Sequence, residues 1–520
     1  MITRNSKTMS ARTQADPNRS AGIIIFALLA AASLLPTLLT LIPAMVDYPN
    51  HLARMYLLAQ NGDPGANPYY EVRWALYPNL GMDLLVPRLA QWVGVESATR
   101  LFLLCSQILI IGGALALERV VKGRVQIGGF VALLFVYCLP FSWGFLNFEF
   151  GLGVSLWGIA FYLMVIERTF LTRLVVNAFF VSALFAVHFF SLGIYGAAIG
   201  LYELWRAHQR RTPYHVTALR LVLLGLPVAL LLLVMRASAG SVGSEGTEWF
   251  FQYKPLWLFR ILNGYNLTVS AASILVLLIS LYFAFKRNVL KIEPVGIWLA
   301  AGFALLYLVV PSKLLGTSFA DLRIIPGAAM IVAAFCSLSL PSRRWLVAAL
   351  AVISAVILAN LATVFAVWLS YRADYAAMIA SFQKLDRGSL VLVGTSGDGE
   401  DPPFNDLTQY PMVYAPTLAV HYANAFVPNV FTEIGKQPIR ARADMQRLAI
   451  PYGGLVPMRL LSAIATGGIT GAIPSSIQTW HRDFDYLYVL GPTSANPLPD
   501  RLHELDRSAR FVLYKIDRRP

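Results

Sequence analysis

The chain has 520 residues, 57% of them hydrophobic and only 13% charged, and its mean hydropathy is +0.60. A soluble globular chain carries about one quarter charged residues, so this composition excludes an ordinary soluble protein and points to an integral membrane protein. The net charge of +14 lies almost wholly in the first part of the chain, because from Tyr371 onward 15 Lys and Arg face 14 Asp and Glu. The basic excess therefore reports topology and contact with anionic membrane lipid. No aromatic-basic module for RNA or DNA is visible, and nucleic acid is set aside as a partner.

Residues 1–20 are polar and basic, and the apolar stretch that follows is about 22 residues long. That exceeds a signal-peptide core of about 7–15 residues, so it reads as a retained first helix. Apolar segments long enough for a membrane helix then recur, and spans are expected at 21–42, 98–117, 127–143, 150–166, 174–189, 191–206, 217–235, 269–285, 295–310, 326–340 and 345–370. Eleven spans put the two chain ends on opposite sides. One set of connecting segments (Arg4 to Arg19, Arg119 to Arg124, Arg168 and Arg173, Arg206 to Arg220, Lys286 to Lys291, Arg343 and Arg344) holds eighteen basic residues, and the alternate set holds eight. Lys and Arg collect in short cytoplasmic loops, so the N-terminus is expected in the cytoplasm and the C-terminal part outside it. Cys105, Cys138 and Cys336 all fall inside spans, which leaves the outer part to fold without disulfides.

The first outer loop, 43–97, is too long for a simple connector. Pro49 suits the first turn of a helix, and Leu52, Met55 and Tyr56 follow at helical spacing, which predicts a short amphipathic helix on the membrane surface. A second is expected over 84–92. The long loop 236–268 opens with Gly and Ser and continues with Trp249, Phe250, Phe251 and Tyr253, a composition that fits either a lid or an interfacial anchor. From residue 371 the composition becomes ordinary. Runs at 389–394, 486–491 and 511–516 read as buried strands, and 373–385 and 441–450 as helices. The chain thus divides into a transmembrane region, 1–370, and an extracytoplasmic α/β domain, 371–520. No Gly-rich phosphate fingerprint follows any strand.

Charge beside a membrane core is costly, so acids at span ends are the first functional candidates. Asp47 follows the first span, with His51 one helical turn later, and Glu149 directly precedes the fourth. Taken alone, Asp47 can simply favour a helix N-terminus, and Glu149 can pair with a nearby Arg. Asp83 reads as a loop cap and His188 as a packed residue. The segment 311–323 is polar for a turn and supplies Lys313 and Arg323. Either the segment is an interfacial helix with an Asp321–Arg323 pairing, or its cations bind phosphate.

The layout resembles that of the GT-C glycosyltransferases, which include protein O-mannosyltransferases and the aminoarabinose transferases that modify lipid A. The resemblance rests on Asp47 with its following helix in a large first outer loop, and on the acidic second outer loop with Glu149. Where those transferases often carry adjacent acids, this chain has Asp47-Tyr48. The resemblance implies a GT-C-like fold of about 11 transmembrane helices with a soluble α/β domain. It also implies transfer of a sugar from a polyprenyl-phosphate carrier to a glycan, lipid or protein acceptor of the cell envelope, at the outer face of the inner membrane. Asp47 would then accept the acceptor's proton. Lys313, Arg323, Lys254 and Arg260 would bind the lipid phosphate, and Glu149 and His51 would orient the acceptor or a divalent cation. No metal-ligand spacing is present, so no cofactor is firm. The rival readings are a transporter or lipid flippase and a non-catalytic scaffold. The first lacks the repeated hydropathy and mid-span acids that such proteins carry.

Overall fold

In the computed structural model, which describes residues 17–239, 246–314, 317–397, 407–468, 473–492 and 495–518, every expected span falls at least partly on helix. Among the described residues, seven helices are long and apolar enough to cross a membrane: Ser20–Leu39, Val95–Lys122, Leu146–Met164, Phe170–Val187, Tyr214–Ala237, Leu267–Lys286 and Arg343–Lys384. The last runs on past its apolar part, which ends near Ser370, into the outer region. Phe189–Gln209 has the length but ends in polar residues, while Gly128–Trp143, Pro294–Val309 and Ile324–Ala333 are shorter apolar pieces.

Two expected spans are interrupted for local reasons. The stretch 127–143 breaks into Gly128–Phe135 and Leu139–Trp143, with Cys138 extended at ψ 170° and Pro140 in the first turn of the second piece. Proline lacks the N–H and crowds the preceding turn, so it starts helices rather than continuing them. The stretch 326–340 is corrected more sharply. Its helix stops at Ala333, and Cys336–Leu338 is a strand paired antiparallel to Leu290–Ile292.

The first outer loop also differs from expectation. Tyr48–Ala59 is a helix with Pro49 in its first turn, but it is packed within the protein and does not leave one face open. Ten of its residues, including Asn50 and Arg54, are buried, because the C-terminal region covers it. Asn50 Nδ2 donates to the Asn429 carbonyl (2.8 Å), and Asn50 Oδ1 accepts from the Phe431 N–H (2.9 Å). Further along the loop, Tyr70–Val72 pairs with Ile439–Ala441, and Asn67 Nδ2 donates to the carbonyls of Asn424 and Ala425. The second helix, Gly81–Val93, leaves Leu85, Leu89, Trp92 and Val93 exposed along one side.

The C-terminal region carries a five-stranded sheet. Its central strand Tyr486–Leu490 runs parallel to Val391–Thr395, which pairs in parallel with Val456–Pro457 at one edge; on the other side Phe511–Ile516 and then Leu502–Arg507 extend the sheet antiparallel. The expected strands at 389–394, 486–491 and 511–516 appear in place. The expected helix over 441–450 is instead a strand end followed by turns, and the helix lies later, at Met458–Ala465. The chain is thus a polytopic helical membrane protein with a soluble α/β region, joined through the first outer loop.

Candidate functional site

The segment Trp143 to Glu149 gathers the site. The Asp47 N–H donates to the Trp143 carbonyl (2.9 Å), which fixes the chain where it leaves the first span and enters Tyr48–Ala59. Gly144 lies directly against Asp47. Its φ is +106°, which side-chain-bearing residues rarely adopt, and a Cβ there would sit 3.0 Å from Asp47 Cβ. Gly144→Ala is therefore expected to cost about 1–3 kcal/mol of stability or to displace Asp47. Melting temperature and transfer activity, measured together, check this, and wild-type values of both would show that the approach is not tight.

Asp47 holds the N-cap position, but its side chain accepts no capping hydrogen bond, with φ −85° and ψ −11°. Any help that it gives the helix start is therefore through its charge and not through a capping bond. Its charge is also felt by Arg323. His51, one turn on, has Nε2 3.1 Å from the Gly144 carbonyl, while its buried Nδ1 has no hydrogen-bond partner among the described residues. Burial, aided by the Arg54 charge, holds its pKa down to about 3. His51 is thus neutral at pH 7. Because a carbonyl can only accept, Nε2 carries the proton and Nδ1 presents its lone pair.

Glu149 lies in the first turn of Leu146–Met164 and is fully buried. The Cys138 thiol donates to its Oε1 (3.4 Å), and Oε2 has no partner among the described residues. Arg323 ends the segment before Ile324–Ala333, 5% exposed, with its guanidinium carbon 4.2 Å from the Phe145 ring centre, 4.7 Å from Phe190 and 5.8 Å from Phe148. Its Nε and Nη1 find no hydrogen-bond partner among the described residues. Burial lowers its pKa, and the Asp47 and Glu149 carboxylates work against that. A buried guanidinium left with open donors beside two carboxylates is costly as pure structure and well suited to an anionic ligand.

The other expected cations stand apart from this group. Lys254 Nζ reaches Asp321 Oδ2 (2.9 Å) and the carbonyls of Tyr307 (2.7 Å) and Val310 (2.8 Å), so its three donors are all engaged. Asp321 therefore pairs with Lys254 in the interior, not with Arg323 at the surface. Lys313 is half-buried in a short hairpin with Ser318, 4.0 Å from Glu248. Arg260 is buried at the end of Lys254–Arg260. An aromatic chain links this side to the site: Trp257, Phe319 and Trp143 meet at centroid distances of 5.7 and 4.7 Å, with Phe319 held at φ +61°. The tip of the expected lid, 240–245, lies outside the described residues. Its aromatic border leaves Trp249, Phe251 and Tyr253 exposed by 48%, 60% and 38%, which fits either expectation.

One contributor, Asn147, was not singled out from sequence. Asn147 accepts from the Met82 N–H (2.7 Å) and donates to Asn79, pinning the start of Gly81–Val93 to the start of the helix that bears Glu149. Asp83 is not a loop cap but lies inside that helix, in a buried ion pair with Arg54 (3.0 Å). His188 is packed as expected, 5.5 Å from the Phe148 ring, which places it in the same layer as Arg323. No group of three or more His, Cys, Asp or Glu able to hold a metal ion occurs among the described residues.

No family model matches the chain, and no curated protein matches it. Solved structures do. The crystal structure of ArnT from Cupriavidus metallidurans in the apo state aligns with a TM-score of 0.53 at 13% identity, over 95% of this chain and 98% of that one. The same protein bound to undecaprenyl phosphate aligns with a TM-score of 0.51 at 13% identity and the same coverage. At that identity the likeness is one of fold, and over nearly its whole length the chain has the GT-C-like architecture that its layout led us to expect.

Proposed function

We propose that the protein is a membrane glycosyltransferase that moves a sugar from a polyprenyl-phosphate carrier to an acceptor hydroxyl, on the side of the membrane that carries the soluble region. The observation that carries this reading is the convergence of Asp47, Glu149 and Arg323 around Trp143–Glu149, at the ends of the spans and beneath the soluble region. The fold likeness to a protein crystallised with undecaprenyl phosphate supports the class of donor.

In this mechanism the acceptor oxygen attacks the anomeric carbon while the bond from that carbon to the phosphate oxygen breaks. The phosphate leaves with the electron pair, and the acceptor proton passes to the Asp47 carboxylate. Arg323 donates to the leaving phosphate as its charge grows. The open lone pair on His51 Nδ1 accepts from an acceptor hydroxyl, and Glu149, held by Cys138, orients a second one. Lys313 and Arg260 contribute longer-range positive potential, whereas Lys254 serves to hold the 321–323 segment. The test is incubation of the purified protein in proteoliposomes with labelled polyprenyl-phosphate sugars and envelope lipid. Release of polyprenyl phosphate with transfer of label supports the reading. Movement of intact donor between leaflets without cleavage would make the protein a flippase instead.

The orientation follows from the basic asymmetry and is testable separately. Reporter fusions after Arg124, Arg211 and Arg287 are expected to read as cytoplasmic, and those after Gly62 and Gly394 as external. An external signal at two of the first three sites would invert the topology. The same orientation fits a cell inner membrane with the soluble region outside the cytoplasm.

A further inference from the structure

The end of the helix bundle opposite Asp47 contains a cleft with a different chemistry. It is lined by the last turns of Phe189–Gln209 and the first turns of Tyr214–Ala239, with Arg206, Arg210, Arg220, Thr212 and Thr217 around its mouth and Glu203 at its base. Glu203 is already neutralised from behind by Arg173 and accepts from the Tyr162 hydroxyl (2.7 Å). Glu167 is shared by Arg206 (3.4 Å) and Arg210 (2.7 Å). Arg220 has no carboxylate partner among the described residues and lies over the Phe170 ring at 5.8 Å, on which Arg173 also rests at 5.3 Å. Four arginines thus face two carboxylates, and the buried Arg206 Nε has no hydrogen-bond partner among the described residues.

The cleft continues directly into apolar surface. Leu221 forms part of its wall, and along the same helix Leu219, Val222, Leu226, Leu230 and Leu233 are exposed, by 46% to 66%. Only 6% of this helix's apolar stretch is buried in the protein, which leaves the rest open to lipid chains. A ligand seated here therefore meets guanidinium and hydroxyl donors at one end and a hydrocarbon-wetted helix at the other. Guanidinium matches phosphate oxygens in charge and in fork geometry. Basic pockets between membrane helices are suited to anionic headgroups.

We propose that this cleft is a binding site for an anionic phospholipid of the leaflet opposite the soluble region, with its phosphodiester among Arg206, Arg210 and Arg220 and its acyl chains along Tyr214–Ala239. The proposal does not depend on the transfer reaction, because the site lies at the other end of the spans. Its experiment uses the purified full chain in zwitterionic micelles and measures binding of phosphatidylglycerol, phosphatidylcholine and inorganic phosphate. The expected result is that phosphatidylglycerol binds at least about tenfold tighter than phosphatidylcholine, and that Arg220→Gln loses about tenfold of that affinity while Arg220→Lys, which keeps the charge but not the fork, retains part of it. The melting temperature without added lipid confirms that the variants are folded. Equal binding of the two lipids, or an Arg220→Gln variant with wild-type affinity, would overturn the site. Inorganic phosphate binding as tightly as the anionic lipid would overturn the choice of a lipid as the occupant.

Discussion

Asp47→Asn is expected to abolish sugar transfer, with a loss of roughly 100-fold or more, while leaving the amount of folded protein unchanged. The amide keeps the shape of the carboxylate but cannot take a proton from an attacking hydroxyl. Its fit against Gly144 depends on Cβ and the backbone, which the substitution preserves. The alternative is that Asp47 only favours the start of Tyr48–Ala59 through its charge, worth about 0.3–1 kcal/mol. That account predicts slight destabilisation and full activity. The side chain makes no capping hydrogen bond, and the two accounts differ in which quantity moves, activity or stability. The measurement compares surface sugar modification by wild type and Asp47→Asn at matched protein levels. Full modification by the variant would remove Asp47 from the reaction.

Arg323→Ala should act on the donor rather than the acceptor. Loss of a charged donor aimed at a developing oxyanion typically costs about 100- to 1000-fold in rate. A decrease in kcat/KM of that order is expected, with half-saturation moved to higher donor concentration. Arg323→Lys keeps the charge but loses the fork and the stacking on Phe145 and Phe190, so it should recover only part of the activity. If Arg323 served packing alone, both variants would melt earlier, and kcat/KM per folded molecule would stay at the wild-type value. Titrating binding of the polyprenyl phosphate alone distinguishes the cases, since only a phosphate ligand loses affinity for that molecule when the guanidinium is removed.

The spans and the three inner strands were legible because each rests on a local signal. Long apolar runs mark the helices, and short runs rich in Val, Leu and Tyr mark 391–395, 486–490 and 511–516. The break at Pro140 was present in the sequence as a proline signal, but the apolar run on either side masked it. Cys336–Leu338 was unreadable as a strand because three residues at the end of an apolar run look alike in a helix and in a strand whose partners are 44 to 48 residues away. For the site, Asp47 and Glu149 stood out as acids at span ends. Arg323 could not be ranked above Lys254, since both are lone cations in aromatic outer segments. Only the placement of Asp321 beside Lys254 shows that one is engaged and the other open. Asn50 and Arg54 gave no signal because their partners Asn429 and Gln437 are more than 370 residues away.

The helix that follows Asp47 is gripped from above by Asn429, Phe431 and Gln437 through Asn50 and Arg54. It therefore works as a lever whose short arm ends at the carboxylate. Were the soluble region to tilt away and admit a substrate, it would drag Asp47 out of register with Trp143 and Gly144 at the moment of entry. A doorway that leaves the carboxylate in place has to open elsewhere. The flank formed by Lys254–Arg260 and the hairpin around Lys313 is tied instead to Glu248, Tyr307, Val310 and Asp321. A cross-link tying the soluble region to the first outer loop should then spare turnover, whereas one tying Lys254–Arg260 to that hairpin should stall it.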